Sequence, residues 1–185
     1  ACRRGWRAEI RGVCLNPSRL GFVEVLSRMG AGISVRENRS AGGEPVGAIR
    51  VEGADLKGTR IAPAEIPGLI DELPVLALAA TQARGATVVE GAGELRHKES
   101  DRIEALAAGL NAMGARVETL PDGFRIQGGT ALRGAAVESA GDHRIAMTLA
   151  VAGLLAEGDT TVRGTRCIGI SFPEFPGLLE GAVRI

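Results

Sequence analysis

The sequence predicts an α/β fold made of repeated α-β-β-α-β units, with parallel helices buried in the centre and sheets outside. Short apolar segments and 27 glycines among 185 residues indicate many elements joined by tight turns. Two segments are apolar on nearly every side, which is typical of helices that are buried all round. The order of elements also repeats once, with a period of roughly 75 to 85 residues, and this indicates repeated supersecondary units.

The first unit starts near Pro17 with a helix that Ser18 can cap and that Gly30 ends. Apolar residues follow helical spacing as far as Met29. The remaining elements of this unit are strands near 33–35 and 48–51, the first buried helix near 70–83 and a strand near 87–89.

The second unit starts at a charged stretch, residues 94–103, which leads into an amphipathic helix. Asp101 can cap this helix, and Glu104 is placed to reach back in a capping box. Short motifs of the first unit then recur: Leu56-Lys57-Gly58 returns as Leu132-Arg133-Gly134. The second buried helix is predicted near 142–157.

Composition limits the classes of partner. Lysine plus arginine and aspartate plus glutamate number 22 each, so the net charge favours neither nucleic acid nor membranes. Aromatic residues are 3% and tyrosine is absent, which removes the stacking platforms of single-strand binders. Cys2, Cys14 and Cys167 lack metal-ligand spacing and are typical of free thiols. We expect a soluble, cytoplasmic protein.

Three predicted helix starts carry charged residues suited to chemistry: residues 71–72, 98–102 and 142–144. Equivalent helices of a repeat fold point the same way, so these N-termini are expected to meet at one face. Free backbone N–H groups and the positive end of the helix dipole favour anions there. Such a face suits a phosphorylated or carboxylated small molecule, with carboxylates or His143 as acid and base.

Each of these residues also has a purely structural interpretation. Asp71 and Asp142 would serve equally well as helix N-caps. His143 would fit as a hydrogen-bonded polar residue at a helix end, and Arg144 as the solvated partner of Asp142. The residue pattern alone leaves the structural and functional interpretations both open.

Four segments, in this order along the chain, resemble motifs of the 5-enolpyruvylshikimate-3-phosphate synthase family. They are Leu-Ile-Asp-Glu-Leu-Pro at 69–74, the Lys-Glu-Ser-Asp-Arg core of 94–103, Asp-His-Arg-Ile-Ala-Met at 142–147 and Ser-Phe-Pro-Glu-Phe at 171–175. The resemblance implies an inside-out barrel domain from a two-domain enolpyruvyl transferase. Residues 1–185 would be its single C-terminal domain, and residues 1–16 a remnant of the preceding segment.

The resemblance also implies the reaction. In the family, the enolpyruvyl group of phosphoenolpyruvate is transferred to the 5-hydroxyl of shikimate 3-phosphate, and phosphate is released, without metal or organic cofactor. This is a step of the shikimate pathway of aromatic amino acid biosynthesis. By resemblance, Asp71 is the base and contacts the shikimate moiety. Glu99 matches the proton-transferring carboxylate of the family, and His143 is a further site residue.

The cations of the site are assigned by the same resemblance. Lys98 contacts shikimate 3-phosphate, while Arg102 and Arg144 clamp phosphoenolpyruvate, an oxyanion that guanidinium forks suit. One position departs from the pattern of many members: a lysine that contacts phosphoenolpyruvate is replaced here by Ile170. We expect Glu99 to take more of the proton relay as a result.

The family also needs its N-terminal domain to complete the site, so the isolated chain is expected to be inactive or nearly so. Two alternatives remain. A UDP-sugar enolpyruvyl transferase would share the fold, although residues 98–102 and 142–147 favour the shikimate enzyme. A non-catalytic binding module would share the domain, although four intact site residues argue against it: Asp71, Glu99, Arg102 and Arg144.

Overall fold

The computed structural model describes residues 2 and 4–183. Their strands are β1 (Arg7–Cys14), β2 (Gly32–Ala41), β3 (Glu44–Glu52), β4 (Arg60–Ile61), β5 (Ala86–Val89), β6 (Val117–Leu120), β7 (Gly123–Gln127), β8 (Ala136–Glu138) and β9 (Thr161–Arg163). The α-helices are α1 (Gly21–Arg28), α2 (Leu73–Gln82), α3 (Arg102–Ala112), α4 (His143–Gly153), α5 (Ile168–Ser171) and α6 (Phe175–Val183). Across these residues, no helix has both the length and the apolar character needed to cross a bilayer.

The strands form three sheets in the described part of the chain, with orders β1-β3-β2, β4-β5-β7-β6 and β8-β9. Their pairings repeat. β1 lies antiparallel to β3 as β5 lies antiparallel to β7, and β4 lies parallel to β5 as β8 lies parallel to β9. The recurring Leu-Lys/Arg-Gly motifs occupy equivalent places, because Lys57 bridges to Arg84 and Arg133 bridges to Glu157. The predicted repeat is confirmed.

The helices α2, α3 and α4 contact one another and form the centre of the core. Almost every residue of α2 is buried, since its sequence offers an apolar side chain in every direction. Sheet residues such as Phe124 and Ile126 of β7 close the core from outside. The predicted α/β class with buried helices and outer sheets is confirmed.

The second buried helix is less enclosed than its composition predicts. Ile145 and Leu149 are fully buried, but Met147 and Val151 are only half-buried and Leu154 is exposed. Within the described residues, this side of α4 borders a shallow cavity of about 180 Å³ shared with α2. The prediction of a helix buried all round was therefore wrong for α4, because apolar composition does not report how many neighbours surround a helix.

Two predictions about helix starts also need correction: the cap by Ser18 and the capping-box role of Glu104. Asn16, not Ser18, caps the chain there: its Oδ1 accepts from the Ser18 amide at 3.0 Å and opens a 3₁₀ turn, and α1 begins only at Gly21. Asp101 does cap α3, since its Oδ1 accepts from the Glu104 amide at 3.1 Å. The Glu104 carboxylate, however, accepts from Arg96 at 3.1 Å.

Candidate active site

The starts of α2, α3 and α4 meet at one face of the domain. Asp71 lies in a 3₁₀ turn (Ile70–Glu72) directly before α2, and Arg102 is the first residue of α3. His143 and Arg144 open α4, and Asp142 is its N-cap. Side-chain contacts among these residues join the three helix starts, so the predicted convergence is observed.

Arg102 is the centre of this cluster, and its side chain is only 2% exposed. Its Nε donates to Asp142 at 2.7 Å, its Nη1 to Asp71 at 3.3 Å and its Nη2 to Glu99 at 2.5 Å. A buried guanidinium requires compensation of its lost hydration, and here three carboxylates supply it. Arg102 thereby fixes the carboxylates of all three helix starts relative to one another.

Asp142 connects the backbone of α4 to this network. Its side chain is fully buried; Oδ1 accepts from the amides of Arg144 at 2.8 Å and Ile145 at 3.4 Å. Oδ2 accepts from Arg102 and, at 3.3 Å, from the Ser100 hydroxyl. Burial raises the pKa of Asp142, but the Arg102 hydrogen bond and charge and the two helix amides outweigh it and hold the pKa below its ordinary value.

The guanidinium of Arg144 contacts Asp71, and only the backbone amide of Arg144 contacts the side chain of Asp142. Its Nη2 donates to the Asp71 carboxylate at 3.1 Å and its Nη1 to the Asp71 carbonyl at 3.0 Å. Arg102 reaches the other oxygen of the same carboxylate. Two guanidinium groups from different helices therefore converge on one carboxylate, while Asp71 itself caps no helix.

Glu99 and His143 form the more open side of the cluster. The Glu99 carboxylate is 48% exposed and shares its oxygens between Arg102 and His143. His143 Nδ1 lies 3.7 Å from Glu99 Oε1, which is beyond hydrogen-bond distance but close enough for attraction when the imidazole is protonated. Both groups can therefore be reached from solvent and can exchange protons.

Lys98 lies outside this network in the structure. Its Nζ donates to Glu94 Oε1 at 2.5 Å, and the ammonium is partly exposed. Of the six predicted site residues, the structure thus joins Asp71, Glu99, Arg102, His143 and Arg144. Ile170, at the position of the family lysine, ends up 88% exposed on α5.

Sequence reasoning understated Asp142 and missed Ser100 and Arg96. Asp142 was interpreted as a cap or as the partner of Arg144, whereas its main side-chain partner is Arg102. The available signal was its place between a glycine turn and an almost wholly apolar helix, which predicts burial and hence the need for a cation. No comparable signal marks Arg96, whose partners lie up to 25 residues away.

The arrangement is suited to binding an oxyanion and transferring protons beside it. Two guanidinium groups each donate from one nitrogen to the same carboxylate, at helix starts whose dipoles favour negative charge. Glu99 and His143 adjoin them as titratable groups. Among residues 2 and 4–183, no group of three or more His, Cys, Asp or Glu side chains is arranged to hold a metal ion.

Comparison with known proteins identifies relatives of the whole chain. Residues 2–179 match the family model described as EPSP synthase (3-phosphoshikimate 1-carboxyvinyltransferase). A 3-phosphoshikimate 1-carboxyvinyltransferase of Desulforamulus reducens is 52% identical over 174 residues, which are 94% of this chain and 41% of the relative. One of Roseiflexus sp. is 55% identical over 168 residues, which are 91% of this chain and 39% of that relative.

Solved structures give the same result. EPSP synthase from Acinetobacter baumannii superimposes with a TM-score of 0.94 at 41% identity, over 98% of this chain and 43% of that one. The enolpyruvyl transferase NikO from Streptomyces tendae shares the fold at 19% identity, with a TM-score of 0.76 over 96% of this chain and 38% of that one. The chain thus spans about two fifths of the length of the proteins it matches.

Proposed function

The chain belongs to the EPSP synthase family, and we propose that it is the C-terminal domain of an enzyme that makes 5-enolpyruvylshikimate 3-phosphate from phosphoenolpyruvate and shikimate 3-phosphate. Phosphate is the second product, and the reaction serves aromatic amino acid biosynthesis. The N-terminal domain completes the site. The three cysteines are free, as is typical of proteins in a reducing compartment, and we place the enzyme in the cytoplasm.

One observation carries this proposal: Arg102 and Arg144 converge on the same carboxylate, that of Asp71. The Asp71 carboxylate lies between these two guanidinium groups, and we expect the carboxylate or phosphate of phosphoenolpyruvate to compete with it for them. Planar forks from two directions select a planar or tetrahedral oxyanion over a neutral ligand. Substrate binding then releases Asp71 from the arginines.

The released carboxylate is suited to the first proton transfer. The substrate 5-hydroxyl attacks C2 of phosphoenolpyruvate as Asp71 accepts its proton, and a protonated Glu99 donates a proton to the C3 methylene carbon. This gives a tetrahedral intermediate that still carries the phosphate. Glu99 then takes a proton back from C3 as the C2–O bond to phosphate breaks, which regenerates the carbon–carbon double bond. The departing phosphate takes the proton held by Asp71, so both carboxyl groups return to their starting states.

Glu99 is placed for both C3 proton transfers because it is half-exposed and lies between Arg102 and His143. Proton transfer to carbon needs a carboxyl group that substrate can approach, and the exposed side of Glu99 meets that requirement. Lys98, which is paired with Glu94 in the structure, is assigned to the phosphate of shikimate 3-phosphate. His143 supplies a second positive charge to Glu99 when protonated.

A chimaera tests this proposal directly. This chain replaces the matching region of the Desulforamulus reducens relative, which supplies the remaining three fifths of the protein. We expect phosphate release from phosphoenolpyruvate plus shikimate 3-phosphate by the chimaera and almost none by the isolated chain. Glu99→Gln should abolish turnover while both substrates still bind, because glutamine keeps the shape but not the proton.

Two outcomes would contradict the proposal. A folded chimaera that binds neither substrate would favour a domain without catalytic function. A chimaera that uses a UDP-sugar acceptor in preference to shikimate 3-phosphate would reassign the acceptor. Glu118→Gln, an exposed carboxylate on β6, is the matched control and should leave turnover unchanged.

A further inference from the structure

Arg96 uses its whole guanidinium group to join two distant segments. Its Nε donates to the Pro121 carbonyl at 2.9 Å and its Nη2 to the Leu120 carbonyl at 2.7 Å, both at the turn between β6 and β7. Its Nη1 donates to Asp101 at 2.7 Å and to Glu104 at 3.1 Å, in the first turn of α3. Each guanidinium nitrogen therefore has a partner.

The bond from Arg96 to Asp101 closes a short loop. Residues 97–100 lie between these two residues, and this segment contains Lys98 and Glu99. After the loop, Arg102 and the α3 cap hold the chain. Before the loop, the buried side chain of Leu95 and the Arg96 bonds hold it. Removing the guanidinium would take away the side-chain hydrogen bonds that tie this end of the loop to the β6–β7 turn and to Asp101.

The β6–β7 turn is itself held to the segment before the loop. The Asp122 carboxylate accepts from the Gly91 amide at 3.0 Å, and its carbonyl accepts from the Ala92 amide at 2.6 Å. Arg96 therefore connects the segment with Lys98 and Glu99 to a turn of the four-stranded sheet β4-β5-β7-β6. The hydrogen bonds that Arg96 donates to Asp101 and Glu104 also raise the pKa of Arg96, so its charge persists at any working pH.

We propose that Arg96 is a positioning residue, which holds the segment 97–100 so that Lys98 and Glu99 face the reacting substrates; this rests on the proposed function. Lysine cannot replace it, because one ammonium cannot meet two carbonyls and two carboxylates in different directions. Arg96 touches neither the Arg102 network nor any other residue assigned to substrate.

The test uses the chimaera with Arg96→Lys and Arg96→Gln. Misplaced catalytic groups lower kcat, and here we expect a loss of about tenfold to a hundredfold. The KM for shikimate 3-phosphate should rise severalfold because Lys98 is displaced, whereas the KM for phosphoenolpyruvate should stay within about twofold because Arg144 is untouched. Arg125→Lys, on the exposed face of β7, is the control and should match wild type.

A merely structural role gives a different pattern. If Arg96 only stabilised the fold, kcat would fall with the folded fraction and both KM values would stay unchanged; that pattern, or wild-type kinetics in Arg96→Lys, would overturn the proposal. Asp101→Asn keeps the α3 cap but leaves Arg96 a neutral partner. In this variant the KM for shikimate 3-phosphate should also rise, but less, while the KM for phosphoenolpyruvate stays unchanged. The variant therefore tests the proposal even if the Arg96 variants do not fold.

A second measurement separates this inference from the proposed function. Backbone order parameters of residues 97–100 in the 185-residue chain should drop in Arg96→Lys from about 0.85, typical of rigid backbone, toward about 0.6. Residues of α4 should keep their values. If the wild-type chimaera had no turnover, the proposed function would fail, and this measurement would still decide whether Arg96 holds the segment: unchanged order parameters would refute it.

Discussion

Replacing Asp142 by asparagine tests how much the site depends on its buried ion pair. The Asp142 side chain is fully buried and that of Arg102 is 2% exposed, with 2.7 Å between the carboxylate and Nε. Asparagine is a good N-cap and retains an oxygen for the Arg144 amide, so the helix start is preserved. The substitution therefore removes the charge and puts an NH₂ donor in place of the oxygen that accepts from Arg102 and Ser100.

The expected loss of stability is about 3 kcal/mol. Breaking a buried ion pair by removing one partner costs about 3–5 kcal/mol, because the remaining charge is left uncompensated. The lower end applies here, since Arg102 keeps Glu99 and Asp71 as partners. For a chain of this size, that loss corresponds to a decrease in Tm of roughly 6–12 °C.

Urea denaturation followed by circular dichroism measures the change. Asp142→Ala should cost about 1 kcal/mol more than Asp142→Asn, because it also removes the cap. Asp159→Asn, at an exposed position, is the matched control and should change stability by less than about 0.5 kcal/mol. If Asp142→Asn and Asp159→Asn were equally stable, the network around Arg102 would not be the main fixed point of the site.

Further predictions concern pH, anion binding and packing. Because the folded pKa of Asp142 lies below its unfolded value of about 3.9, the stability it contributes is present above that pH and is lost as pH falls through the folded pKa. Acid titration of unfolding should therefore show the gap between wild type and Asp142→Asn closing below about pH 4. Asp71→Asn should tighten binding of phosphoenolpyruvate to the chain severalfold in calorimetry, because it removes the negative charge that competes for Arg102 and Arg144. It should lower turnover in the chimaera because it removes the base. Weaker binding would contradict this. Gly128→Ala would place a Cβ 2.5 Å from the Ala80 carbonyl oxygen and should cost at least about 1–3 kcal/mol in urea denaturation. Gly177→Ala, whose Cβ meets nothing within 4 Å in α6, should instead be neutral or slightly stabilising.

The local sequence pattern was sufficient to predict most helices and strands. It failed where contacts with other parts of the chain determine an element's ends or its burial. Residues 33–35 and 48–51 were predicted as strands and lie within the longer β2 and β3, because a hairpin extends pairing beyond its apolar centre. The α1 start was misplaced because Asn16 accepts from the Ser18 amide and opens a 3₁₀ turn, so that α1 begins only at Gly21. The burial of α4 was overestimated because burial depends on surrounding elements.

The sequence by itself determined the repeat, the α/β class, the family resemblance and the residue types at three helix starts, since these depend on periodicity and on spacing along the chain. Only the tertiary structure decided which charges pair. In the structure, Asp142 pairs with Arg102, and Asp71 pairs with both Arg102 and Arg144. Arg96 donates to a turn up to 25 residues away. A charged side chain can reach any opposite charge that folding brings within a few ångströms, and that proximity is set by how the helices pack.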